Sequence, residues 1–179
     1  QQPGGADGQV VVGLDPGQAF GTGAHPTTRL CLEFLLGLVE DGEGGGELVD
    51  LGSGSGVLAI AASKLGWGPV RGYDHEVAAV EASVENAVVN GVDVRFERLD
   101  LKAGLPGLAP TTVANLTAPL LEMVALQMDP EDLPARVICS GLLATERARV
   151  EKVFGRLGYE SKTFREIENW GGLLLEPGS

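Results

Sequence analysis

Basic residues are scarce in this chain: 13 lysines and arginines stand against 25 aspartates and glutamates, a formal charge of −12 over 179 residues. Such an excess of carboxylates repels a phosphate backbone, which excludes direct nucleic-acid binding and favours a basic protein or a cationic small molecule as partner. Histidine and cysteine are scarcer still, with two of each. His25, His75, Cys31 and Cys139 contain no CxxC pair and are too few for a structural zinc site, so no metal is expected. Two cysteines far apart in sequence offer no disulfide framework, which fits a reducing, cytoplasmic compartment. No apolar run approaches the about 20 residues of a membrane span, and no secretory signal opens the chain. An initiator methionine is missing as well. The opening QQPGGADGQ reads as a linker or a cut end, with residues 1–16 as linker plus a short strand and residues 17–179 as one domain.

What is present is enough for one sizeable core, since 44% of the residues are hydrophobic. The 27 glycines gather in short runs that read as turns and loops rather than as a repeat. VVVGLD (Val10 to Asp15) has the pattern of a short strand, and Thr27 or Thr28 is placed to cap the largely apolar helix that follows. ELVDL, PVRGYD, DVRFERLD, TTVANL and PARVICSG then read as strands. Helices are expected in SGVLAIAASKLG, in VAAVEASVENAVVNG closed by Gly91, and in ATERARVEKVFGRLG. Alternating strands and helices imply an α/β fold with a parallel sheet covered on both faces. YESKTFREI and NWGGLLLE have no helical pattern between them and suggest an antiparallel hairpin at one edge.

The chemistry-bearing residues fall at strand ends. DLGSGSG puts Gly52, Gly54 and Gly56 between a strand and a helix, behind Asp50. Glycines there let a backbone approach a ligand closely, or simply make a tight turn. The G-x-G-x-G spacing lacks the dinucleotide pattern, because the position for its last glycine falls on Val57. An acid at the end of the first strand would repel a pyrophosphate and suits a ligand with an amino or sulfonium group. Asp74 ends the second strand, where an acid can accept bonds from both ribose hydroxyls; otherwise it is a solvated loop acid. Asp100 ends the third, at the place for an adenine edge, although alone it could be an ordinary loop residue. Three strands ending in acids at one sheet edge favour an adenosine-type ligand without phosphate.

From Asp50 through Asp100 the chain resembles the class I S-adenosylmethionine-dependent methyltransferases. The resemblance implies a Rossmann-like, seven-stranded, mostly parallel sheet with helices on both faces and a C-terminal antiparallel hairpin. It also implies S-adenosyl-L-methionine as cofactor and S-adenosyl-L-homocysteine as product. By that resemblance Gly52, Gly54 and Gly56 pack against the methionine part, Asp74 binds ribose and Asp100 lines the adenine. Asn115, in VANLTAPLL, stands where amine methyltransferases place an Asn in an N-P-P-Y-like motif; its carboxamide oxygen would accept a bond from the target nitrogen. Here Asn115-Leu116-Thr117 lacks the prolines and the aromatic residue, and an Asn after a strand is also a common turn former.

FGTGAHPTT (Phe20 to Thr28) is similar to a signature of the bacterial family that methylates ribosomal protein L11 of the large subunit. DLGSGSGVLAIAA, VANL, SGLL (Ser140 to Leu143) and NWGGLLLE resemble that family's segments in order. The resemblance implies a lid over the cofactor in which Phe20 covers it and Thr22, Gly23 and Thr27 approach its polar groups. It implies methyl transfer to lysine or N-terminal amines of a basic ribosomal protein. There are departures: Asp74-His75-Glu76-Val77 lacks the family's proline, and Thr111 and Thr112 lie where an aspartate is common. The family's N-terminal recognition domain is absent from this sequence. The chain therefore reads as a trimmed member, as a stand-alone methyltransferase for another protein or small amine, or as a non-catalytic cofactor-binding domain. His25 could relay the amine's proton or merely bond backbone.

Overall fold

A computed structural model describes residues 9–14 and 25–179. Seven strands form one sheet: β1 (Gly46–Leu51), β2 (Trp67–Asp74), β3 (Val94–Arg98), β4 (Thr111–Asn115), β5 (Arg136–Leu143), β6 (Tyr159–Ile167) and β7 (Trp170–Pro177). Among the described residues α1 (Pro26–Glu40) precedes β1, and α2 (Val57–Lys64), α3 (Val77–Asn90), α4 (Ala118–Gln127) and α5 (Arg147–Gly155) lie between strands. The spatial order is β3-β2-β1-β4-β5-β7-β6. All pairings are parallel except those of β7, which runs antiparallel to both β5 and β6. The expected fold class is the observed one.

Side-chain alternation along the central strands builds the two cores. In β1, Leu48 packs into a core with α1 and α2, whereas Val49 and Leu51 face a second core made with α4 and α5. Winding runs outward from β1 through β2 to β3 and then restarts at β4 toward β5. The reversal between β1 and β4 opens a crevice at their carboxyl ends, where open α/β sheets place ligands. No helix among the described residues is long and apolar enough to cross a membrane.

The helix start after the glycine-rich lead differs from expectation. His25, not Thr27 or Thr28, is the N-cap of α1, and its Nδ1 accepts from the Thr27 N–H at 3.3 Å. Pro26 then takes the first helical position, where a missing N–H costs nothing. Thr27 and Thr28 turn inward and are buried. Val10–Leu14 form no strand, and Asp15 lies outside the described residues. The backbone of Gly13 instead exchanges bonds with one side chain: Gly13 N–H donates to Asn90 Oδ1 at 2.9 Å, and Asn90 Nδ2 donates back to the Gly13 carbonyl at 2.7 Å. Helix α4 was not evident from the sequence. Its residues APLLEMVALQ are apolar nearly all round, and such a run has no periodicity that separates helix from buried strand. The charged segment expected to be one helix from Ala144 begins as a 3-10 turn, Ala144–Glu146, before α5.

Candidate active site

The loop from β1 to α2 is shaped by positive φ at Gly52 (74°) and Gly56 (84°). The φ of Gly52 disfavours any side chain there, and a Cβ would also stand 2.5 Å from Leu116 Cδ2, which lies over the loop. Its N–H groups are turned inward: Gly52 and Ser53 donate to the Tyr73 carbonyl at 2.8 and 2.9 Å. Gly54 donates to Asp74 Oδ2 at 2.9 Å and Gly56 to the Ser53 carbonyl at 2.8 Å. A phosphate-binding loop keeps such donors free for the anion. This one does not.

Two adjoining cavities occupy the carboxyl edge of the sheet, of about 470 and 540 Å³, and both are lined by Gly52, Asp74, His75 and Leu116. The first runs from the glycine loop toward His25, Thr27, Asn115 and Trp170, and no Lys or Arg is among its described lining residues. The second is walled by Leu99, Asp100 and Leu101 beyond β3 and by Pro119 and Leu120 of α4. Asp74 is the hinge of the pair. Its Oδ2 holds the Gly54 N–H, and its Oδ1 accepts from the Glu76 N–H at 3.0 Å, where α3 begins. Asp100 Oδ1 accepts from the Lys102 N–H at 2.9 Å, which fixes the turn after β3 with the carboxylate at the cavity.

Neither Asp50 nor Gly56 is among the residues that line these cavities. At Gly56 a Cβ would lie 2.8 Å from Phe96 Cζ, so the missing side chain lets α2 close on β3. Asp50 is 1% exposed and neither carboxyl oxygen has a hydrogen-bond partner. It lies one residue before the carboxyl end of β1, on the same face as Leu48. Burial pushes its pKa up to about 8, and the nearby charge of Asp74 adds to the rise. The Ala59 N–H in the first turn of α2 pulls the other way, although it falls short of hydrogen-bond geometry. The carboxyl is therefore a buried acid at the base of the glycine loop.

The half of the first cavity over β4, β5 and β7 contains Asn115, Thr117, Gly141 and Trp170. Gly141 was not singled out by chemistry, yet its φ is 89° and a Cβ there would lie 2.3 Å from the Leu116 carbonyl oxygen. It marks the irregularity in the β5–β7 pairing between Ser140 and Leu142. The β4–α4 loop is further held by the Leu116 N–H donating to the Ser140 carbonyl at 2.9 Å. Phe20, Thr22 and Gly23 lie outside the described residues, so of the expected lid only Thr27 is placed, and it lines the first cavity. His25 lines it too, with Nδ1 2.8 Å from Thr27 Oγ1. That bonding and the contact with the Thr27 backbone match the structural alternative for this histidine.

A family model described as Ribosomal protein L11 methyltransferase (PrmA) matches residues 1–176. The chain belongs to this family. A Ribosomal protein L11 methyltransferase of Exiguobacterium is 36% identical over 176 residues, covering 94% of this chain and 54% of the relative. One from Paraburkholderia xenovorans is 39% identical, covering 90% and 52%. The crystal structure of a ribosomal protein L11 methylase from Lactobacillus delbrueckii subsp. bulgaricus superposes with a TM-score of 0.79 at 30% identity, covering 93% of this chain and 84% of that one. The chain spans about half the length of the curated relatives it matches. In this member of the L11 methyltransferase family the glycine loop, Asp74 and Asn115 line one crevice.

Proposed function

We propose that this chain is the catalytic part of an S-adenosylmethionine-dependent protein N-methyltransferase acting on lysine or N-terminal amines of ribosomal protein L11. The observation that carries it is the glycine loop with its N–H groups satisfied internally, flanked by Asp74 and Asp100. That donor set suits an adenosine with no phosphate: carboxylates stand where hydroxyls and an exocyclic amine could donate, and the Gly52 cradle admits close approach. Asp74 would hold the ribose, Asp100 with Leu99 and Leu101 the adenine, and Gly52, Ser53 and Thr27 the aminoacyl end. When bound, S-adenosylmethionine supplies an electrophilic methyl group on a sulfonium.

The residues of this chain then have three tasks. Asn115, at the end of β4, would accept a hydrogen bond from the target nitrogen and aim its lone pair along the transfer axis. The walls exclude water, which disfavours the charged form of a lysine whose pKa in water is about 10.4. The rigid Leu116–Gly141 contact keeps Asn115 in register with the glycine loop. Membership of the L11 methyltransferase family and a chain charge of −12 support a basic ribosomal protein as substrate. Two buried free cysteines are consistent with a cytoplasmic reaction.

Calorimetry with S-adenosylmethionine and radiolabelled methyl transfer to purified L11 test this reading, with and without the half of the relatives that this chain does not span. Binding together with transfer that improves when that half is restored is the expected result. Absence of cofactor binding would overturn it.

A further inference from the structure

The NWGG stretch is unexplained by the cofactor. Glu168 and Asn169 make the two-residue turn between β6 and β7 with φ of 49° and 67°, left-handed values that non-glycine residues rarely adopt. The turn is tied down where the Ala144 N–H donates to the Asn169 carbonyl at 2.7 Å. The next residue, Trp170, lines the first cavity. After it, Gly172 allows β7 to press against α1, because a Cβ there would lie 2.9 Å from Phe34 and 3.1 Å from Leu30. That close approach brings the indole to His25, edge to face, with ring centroids 5.5 Å apart. The other tryptophan, Trp67, is a core residue at 3% exposure; Trp170 is half-buried at an open cavity.

The charges around the crevice are divided. Asp74, Glu76 and Asp100 line its β2–β3 side, whereas the β4–β5–β7 side has Asn115, Thr117, Gly141, Trp170 and His25 and no carboxylate among its described lining residues. Among those described residues an amine entering there meets no carboxylate that would hold it as an ammonium. An indole face does something different: it takes the methylene stem by apolar contact and attracts the cationic end weakly, without fixing the proton.

We infer that Trp170 is the specificity-determining wall of an acceptor chamber, selecting an amine carried on a flexible alkyl stem and leaving its proton free to depart. The inference rests on the methyltransferase reading. Trp170 packs along the stem while Asn115, across the chamber, addresses the nitrogen.

The test uses uniformly 15N-labelled protein, loaded with S-adenosylhomocysteine so that no transfer occurs, and Nα-acetyl-lysine amide as probe. The two indole N–H signals are told apart with Trp170→Phe. The Trp170 signal should shift saturably on addition of the probe while that of Trp67 stays still. Trp170→Ala should weaken the probe, read at the Gly141 amide, by about tenfold, the scale of a desolvated cation–π contact, and leave S-adenosylhomocysteine affinity within about twofold. Trp170→Phe should recover most of the loss. A silent Trp170 signal in a protein that binds S-adenosylhomocysteine overturns the inference and spares the methyltransferase reading. So does a Trp170→Ala variant that weakens only the nucleoside. A wild-type protein that binds no S-adenosylhomocysteine by calorimetry overturns both.

Discussion

The two halves of the crevice solve different problems with different materials. On the β1–β3 side, glycines and carboxylates are locked together by hydrogen bonds: Asp74 holds the Gly54 and Glu76 N–H groups, and the Tyr73 carbonyl holds those of Gly52 and Ser53. On the β4–β7 side the walls are set by steric contact, with Gly141 against the Leu116 peptide and Gly172 against Phe34. Under the proposed function the first half is a preorganised binding surface for one fixed nucleoside. The second is a shaped space, without a carboxylate among its described lining residues, for a nucleophile that must arrive and lose a proton. On that reading charge organises binding and packing organises the reaction.

Substitutions in each half should separate affinity from turnover. The largest effect is expected for Gly141→Ala, whose Cβ collides with the Leu116 carbonyl and whose φ of 89° disfavours any side chain. Displacing Asn115 by about 1 Å should cost about a hundredfold or more in turnover, measured at saturating S-adenosylmethionine. Equal losses in affinity and turnover would erase the division between the halves. Asn115→Ala comes next: removing one aligned polar group should lower kcat by about a hundredfold and leave cofactor Kd within about threefold. Asp74→Asn should do the reverse. It weakens bonds to a charged acceptor, worth about 1.5–3 kcal/mol each, so calorimetric Kd for S-adenosylmethionine should rise about tenfold or more with kcat near normal at saturation.

The last prediction concerns stability rather than affinity or turnover, at the buried Asp50. Its folded pKa, pushed up to about 8, lies above the ordinary 3.8, so between these values the folded chain holds a proton that the unfolded chain has lost. Stability from this group is complete below about pH 3.8 and is lost as pH rises through about 8. The melting temperature of the wild type should therefore decline across that window by more than that of Asp50→Asn. Equal pH dependence in the two proteins would mean that Asp50 is ionised in the fold.

Much of the β1–β3 half was legible in the chain. Asp74 and Asp100 end or follow strands that alternate with helices, and such residues must meet at one sheet edge once crossovers are right-handed. Gly52 was readable for the same reason. The burial of Asp50 and the packing of Gly56 against Phe96 were not, because adjacent residues of a strand point to opposite faces and a glycine can serve packing as well as a ligand. On the other half, Asn115 could be placed by its position after β4. Trp170, Gly141 and Thr117 could not be joined to it, since they come from the β5, β7 and α4 regions and nothing in their spacing says that they share a wall. Leu116 was hidden similarly, although it borders both cavities.

By itself the sequence determined the α/β class, the terminal hairpin and the strand-end acids, because hydrophobic periodicity and glycine punctuation are local properties of the chain. Only the tertiary structure decided which residues face the crevice and which are sealed beneath it. Those assignments depend on contacts between distant segments, such as Leu116 on Gly52 and Gly141 and the indole of Trp170 on His25. Steric exclusion across a folded interior leaves no mark at either partner's own position.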